Sequence, residues 1–300
     1  MKPPRCAFGA SSQGGRRQRP GKAGSAAAAW VRWRDATVIA SRRAFLVAAA
    51  SFAAALPGCA TQPNAEVKQT LAPTGVLRVA VYAGSPTSMV RAADGEMRGV
   101  SVDLSRELAR RLGVPAEIVV HQRVAEVIDA LKNGRADFTV TNATPARAQD
   151  VDFTPPLLAL ELGYLSLPGS PVQTLGDVDQ PGRRIGVSQG STSHGVLSRE
   201  LKHAQVVPAP SLQAAGQMLR QRELDAFATN KGILYELADA VPGARVLDGR
   251  WGLEHLAIAV PKGREAAAPW LRAFAESARA DGLVQAAAQR AGLRGTVDVR

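Results

Sequence analysis

The chain has 300 residues, enough for about two domains, and combines 46% hydrophobic residues with a formal net charge of +11. Ten of its 37 Lys and Arg residues lie within residues 1–59 beside a single acid, Asp35, so the other 27 basic and 25 acidic residues carry only +2. The basic excess therefore belongs to the leader and argues against nucleic acid as a partner. Both cysteines, Cys6 and Cys59, precede the region expected to fold, which excludes a disulfide framework there.

Residues 1–37 are rich in Arg, Gly and Ala without apolar periodicity, and read as disordered or as the product of an upstream start codon, with Val38 as an alternative start. Ser41-Arg42-Arg43-Ala44-Phe45-Leu46 resembles a twin-arginine export signal, although an ordinary basic n-region accounts for the two arginines as well. Thirteen apolar or small residues follow, from Ala44 to Leu56. That is the length of a signal-peptide core and too short to span a bilayer. Leu56-Pro57-Gly58-Cys59 looks like a lipobox, implying acylation of Cys59 and cleavage before it. Residues 60–73 are polar with two prolines and are expected to form a flexible tether.

From there the pattern alternates. Residues 75–82 (with VLRVAVY) read as a strand, and residues 102–112 as a helix whose Leu104, Leu108 and Leu112 form one stripe closed by Gly113. Residues 116–120 form the next strand, 124–133 a helix ending at Gly134, and 137–141 a third strand. The same order recurs: strand 184–188, helix 191–201, strand 205–208, helix 211–221, strand 224–229. Leu131 lies six residues before Asp137, as Leu219 does before Asp225. Two β-α-β-α-β units imply two lobes on one plan, each a mostly parallel sheet flanked by helices. The chain is expected to cross between lobes near residues 160–165 and 256–260, making a two-strand hinge, and to add helices 265–280 and 283–291. The expected organisation is a leader (1–59), a tether (60–73), lobe 1 (74–163), lobe 2 (164–255), a return to lobe 1 (256–293) and a tail (294–300). A cleft between lobes is where a small ligand would sit.

Residues 137–156, DFTVTNATPARAQDVDFTPP, run from a short β-branched strand into a Pro-punctuated loop carrying Asn142, Thr144 and Arg147. An Arg just past a strand's carboxyl end is well placed to grip a carboxylate bidentately, though a surface Arg on a polar loop fits the spacing too. With TGVLRVAVY, DGEMRGVSVDLSRELARRLG, IGVSQGST and LAIAVPKG, this stretch resembles the amino-acid-binding family of bacterial extracellular solute-binding proteins, over roughly residues 74–293. The resemblance implies a type II periplasmic-binding-protein fold and a monomeric periplasmic receptor. Such a receptor hands a small carboxylate-bearing solute to an ABC permease in the inner membrane. It needs no cofactor, and no catalytic residue is expected. The four histidines show no metal-ligand spacing, and no G-x-S-x-G or H-E-x-x-H motif occurs.

The resemblance also implies that Ser191 and Thr192, after Gly190, form the second half of a carboxylate clamp facing Arg147; simple N-capping explains the same residues. Where the family usually carries an Asp for the ligand's α-ammonium, this chain has Asn230. Ser85 and Val124 stand where relatives often present aromatics, and Ser188 where a larger apolar residue is common. An amide cannot neutralise an ammonium, and a buried unpaired charge is costly. Arg147, Thr144, Asn142, Ser191, Thr192, Asn230, Ser188 and Ser85 are thus the expected ligand contacts. A hydroxy or keto acid is expected to bind better than its α-amino analogue. The alternative is an enzyme similar to cyclohexadienyl dehydratase on the same fold, for which no suitably placed general acid is evident beside Asn230.

Overall fold

A short helix, α1 (Ala65–Leu71), opens the computed structural model, which describes residues 63–297. The leader, its twin arginines, Cys59 and residues 298–300 lie outside the described residues. The Asn64 side chain caps α1 by accepting the Val67 N–H at 2.8 Å, and Val67 and Leu71 are buried in the first core cluster. Half of the expected tether is therefore a docked helix, because two apolar side chains four apart find a core to cover.

The first unit follows the expected order. Strand β1 (Leu77–Tyr82) leads through the hairpin of β2 (Val90–Arg91) and β3 (Met97–Arg98), which periodicity missed, into α2 (Val100–Leu112). Then come β4 (Ala116–His121), α3 (Val124–Lys132) and β5 (Thr139–Asn142). Helix α2 buries Val100, Leu104, Leu108 and Leu112 on one stripe, each burial contributing roughly 1.5–3 kcal/mol. It ends where Gly113 takes the left-handed conformation at φ +64°. Strand β1 pairs parallel with β4 on one side and is bridged to the start of β5 on the other, Val79 opposite Phe138.

After β6 (Val151–Phe153), the chain crosses on β7 (Leu158–Ser166). The second unit runs β8 (Arg184–Ser188), α4 (Thr192–Glu200), β9 (Gln205–Ala209), α5 (Leu212–Arg220), β10 (Ala226–Asn230) and α6 (Lys231–Ala240), the last missed by periodicity. Strand β8 pairs parallel with β9 and β10, as β1 does with β4 and β5. Beyond β11 (Arg245–Val246), β12 (Gly252–Pro261) carries the chain back to α7 (Ala268–Ala280), α8 (Leu283–Arg290) and β13 (Thr296–Val297). The expected single helix over 265–280 begins instead as a 3₁₀ turn, Glu265–Ala267. The expected tail is partly ordered, since Thr296 pairs with Leu160 of β7 and Arg294 lies over the Tyr235 ring.

The fold is a two-lobed binding-protein fold. One core joins α1, β1, α2, β5 and α7, and others lie between β7, β10, α5 and α6. Strands β7 and β12 run antiparallel to each other over Leu158–Leu162 and Gly252–Leu256. Strand β12 pairs with β5 of the first lobe and β7 with β10 of the second, so both crossings are main-chain continuous with the two sheets.

The repeated Asp has a repeated job. Asp137 accepts from the backbone N–H of Arg78 (3.0 Å), from its Nε and Nη2 (each 2.8 Å), and from Arg264 Nη2 (2.6 Å). Asp225 does the same for Arg184 at the start of β8, through the N–H at 2.8 Å and Nη2 at 2.9 Å. Burial pushes the Asp137 carboxyl up, but the Arg78 and Arg264 hydrogen bonds outweigh it and hold it below its ordinary value. Its stabilising contribution is therefore complete above the ordinary carboxylate range and lost as pH falls through the lowered value. Asp137→Ala is expected to cost about 3–5 kcal/mol, the effect of stripping one partner from a buried pair. Asp225→Ala, whose Arg184 is more exposed, should cost less. Denaturant midpoints across pH 2–7 measure both, with the acid-side loss of stability shallower in Asp137→Ala.

Candidate functional site

The carboxyl ends of β1, β5, β8 and β10 converge on one cleft, together with the amino ends of α4 and α5 and the start of β12. Its empty volume is about 540 Å³, counting space open to solvent. Ligands of open α/β sheets gather at such carboxyl ends.

Arg147 lines this cleft, in the 3₁₀ turn Arg147–Gln149 that follows β5. Its backbone N–H donates to Thr144 Oγ1 at 3.2 Å, and its Nη1 donates to Thr141 Oγ1 at 2.8 Å and to the Asn142 carbonyl at 3.2 Å. These bonds orient the guanidinium without neutralising it, and it makes no ion pair among the described residues. Burial pushes Arg147 below its ordinary value, while the charge of Glu254 pulls it back. The guanidinium is half-buried, and its fork geometry matches a carboxylate.

Asn142, Ser188, Ser191, Thr192 and Asn230 also line the cleft. Asn142 Oδ1 accepts the His255 N–H at 3.0 Å, which turns its amide nitrogen toward Thr192 Oγ1, 3.4 Å away in the other lobe. Ser191 is the N-cap of α4, accepting the His194 N–H at 3.1 Å, so its hydroxyl already serves the helix. Thr144 lies outside the lining and acts on Arg147 from behind. Ser85 also lies outside it: it is fully buried, with its hydroxyl bonded to Thr87 Oγ1 at 2.9 Å.

Of the lining residues that escaped sequence reasoning, Tyr82 and Glu254 bear most on the chemistry of the cleft. Tyr82, at the end of β1, packs against core clusters of both lobes and supplies the aromatic surface that Ser85 and Val124 do not. Glu254, on β12, is only 8% exposed and accepts from Asn230 Nδ2 at 3.0 Å. Asn230 Oδ1 meanwhile accepts the Ile233 N–H at 3.1 Å, capping α6. Asn230 lines the cleft as expected, and each end of its amide already has one protein partner, which leaves one N–H and one lone pair for a ligand. The acid expected to be missing beside Asn230 is present, delivered from the hinge strand. Burial pushes the Glu254 carboxyl up, and Arg147 and the Asn230 hydrogen bond pull it down. Among the described residues, no group of His, Cys, Asp and Glu could hold a metal ion.

The family model for bacterial extracellular solute-binding proteins, family 3, matches residues 77–292. The chain belongs to that family. Over 167 residues it is 33% identical to a probable histidine-binding protein of Campylobacter jejuni, covering 53% of this chain and 63% of that protein. Over 227 residues it is 29% identical to the L-arginine-binding protein of Pseudomonas aeruginosa, covering 71% of this chain and 86% of the relative. Among solved structures, an ancestral amino acid-binding protein described as a precursor of cyclohexadienyl dehydratase superposes with a TM-score of 0.65. That match has 23% identity over 74% of this chain and 98% of the other. The L-cysteine receptor of Neisseria gonorrhoeae gives 0.67 at 23% identity, over 75% and 92%. At that identity the likeness concerns the fold. Relatives of this family-3 protein are named for binding, which points away from catalysis.

The lobes of this family-3 protein meet closely beside the cleft. Arg123 Nη1 donates to Gln189 Oε1 at 3.0 Å, and a Cβ on Gly190, whose φ is +71°, would stand 2.7 Å from the Ala125 Cβ. Gly190→Ala is expected to lower affinity for L-amino acids by about tenfold, from left-handed strain and a blocked approach. Each lobe should unfold at nearly the same temperature as before. Calorimetry showing undiminished affinity would detach this contact from the bound shape.

Proposed function

We propose that this protein is a lipid-anchored, periplasmic receptor of an ABC uptake system, closing over a small carboxylate-bearing solute, an amino acid or a related organic acid. The observation that carries the reading is Arg147, a half-buried guanidinium oriented by Thr141 and Asn142 yet unpaired by any acid among the described residues. A ligand carboxylate supplies the missing partner. Asn142, Ser188, Ser191 and Thr192 complete the polar wall, and the unpartnered N–H groups at the start of α4 add positive potential. Thr144 and Ser85 act one layer out, behind Arg147 and Tyr82.

Strands β7 and β12 act as the hinge, with lobe 1 over 74–163, lobe 2 over 164–255 and the return over 256–293. A monomer suffices, since the lining comes from one chain. Cys59 carries the lipid anchor, and the closed receptor hands its solute to an inner-membrane permease. The names of the histidine-, arginine- and glutamine-binding relatives favour an amino-acid cargo. The dehydratase-like alternative draws on one observation, a buried acid at Glu254 beside Asn230, but that acid's Oε2 is engaged with the Asn230 amide.

Arg147→Ala should weaken binding of any amino-acid ligand by about 2–5 kcal/mol, the range for truncating one side of a desolvated charge pair. Its unfolding midpoint should hardly move, since Arg147 is not part of the core. Titration calorimetry with unchanged affinity would remove Arg147 from the site. Cys59→Ala should leave the protein soluble or as unprocessed precursor, because acyl chains, at about 0.8 kcal/mol per buried CH₂, would no longer hold it at the membrane. Fractionation that finds the variant acylated and membrane-bound would contradict the anchor.

A further inference from the structure

Residues 290–297 touch both lobes. Arg290, at the end of α8, is tied to the first lobe, its Nε donating to Asp103 Oδ2 of α2 at 2.8 Å. Four residues later, Arg294 pairs with Asp239 of α6, lies 3.9 Å from Glu236, and sets its guanidinium carbon 4.7 Å from the centre of the Tyr235 ring. Between the two, Leu293 packs against the first-lobe core, yet its Cδ1 would stand 2.6 Å from a Cβ on Gly232 of α6. A Cβ on Gly295, whose φ is +80°, would meet the Lys231 Cβ at 2.6 Å. This segment and α6 approach too closely for a side chain at either glycine.

The same segment completes the crossing. Strand β7 pairs with β12 along one edge from Leu158 to Leu162, and with β10 along the other from Leu162 onward. Thr296 opposite Leu160 and Val297 opposite Ala159 fill the remainder of that second edge, and the Glu161 N–H donates to the Gly295 carbonyl at 3.0 Å. The Glu161 side chain holds Lys231 Nζ at 2.6 Å and Arg250 Nη1 at 3.0 Å. A crossing strand hydrogen-bonded on both edges opens less readily than one with a free edge. The first turn of α6 therefore has two faces: Asn230 and Ile233 line the cleft, while Lys231 and Gly232 meet the C-terminal segment.

We infer that residues 290–297 form a strap that ties the two lobes beside their crossing strands, positions the first turn of α6 and limits how far the lobes open. Arg294 and Gly295 are its positioning residues, and neither lines the cleft. The strap depends only on the two lobes and the strands between them, so its failure leaves the carboxylate reading standing. Arg294 and Asp239 are both exposed, and such a pair contributes little by itself. The strap is therefore challenged in two independent ways, by charge and by volume.

The test compares the protein, freed of bound solute, with two variants. Arg294→Glu sets a carboxylate beside Asp239 and Glu236, and Gly295→Ala wedges a methyl group against Lys231. Hydrogen exchange and small-angle X-ray scattering are read on each. The Glu161 amide should exchange about tenfold faster in both variants, because its acceptor is the Gly295 carbonyl. The radius of gyration should rise as the lobes open. Adding Asp239→Arg to Arg294→Glu should restore both readings, a rescue that a general loss of stability would not show. Unchanged Glu161 exchange in both variants would overturn the strap. Accelerated exchange with an unchanged radius would overturn the limit on opening, and absence of the rescue would remove Arg294 from the tie.

Discussion

A half-buried guanidinium, Arg147, and a buried carboxyl, Glu254, line one cleft and do not pair with each other. That constraint organises the rest of the site. Arg147 is held by a hydroxyl and a carbonyl, Glu254 by an amide, and each holder is fixed in turn by main chain from another element. Asn142 is locked by the His255 N–H of the hinge strand, and Asn230 by the first turn of α6. Neutral dipoles orient both groups without forming an ion pair with either.

Keeping such a cleft open to solute requires two bodies that are rigid separately. Each lobe repeats the same anchor, an Asp at the start of its third strand gripping the backbone and guanidinium of an Arg in its first strand. These anchors lie at the amino ends of the strands, and the cleft residues lie at the carboxyl ends, so the anchors and the cleft occupy opposite edges of each sheet. The two crossing strands connect the lobes through continuous main-chain pairing. Glu254 sits on one of them, so part of the cleft lining comes from a crossing strand.

Much of this was legible in the sequence. The strand–helix alternation gave both units because their apolar stripes are regular, and the short β-branched run before Asn142 marked the loop that carries Arg147. Glu254 was missed because it lies more than a hundred residues from Arg147 and precedes an apolar run that reads as a simple crossing. A signal was nevertheless present. Along β12, exposed Leu253 and His255 alternate with buried Glu254 and Leu256, so the period of two puts the acid on the inner face. Helix α1 was missed because a single capped turn with two apolar residues becomes stable only through the core it covers. Ser85 was misjudged because spacing cannot tell a cleft wall from the layer behind it. Only its contact with Thr87 and its complete burial make that distinction.

The most direct test of the cleft reading is the identity of the small molecule carried by the protein purified from its own cells, read by mass spectrometry after denaturation. The expected finding is a compound that bears a carboxylate, an amino acid or a related organic acid. A molecule without a carboxylate held stoichiometrically in the cleft would contradict it.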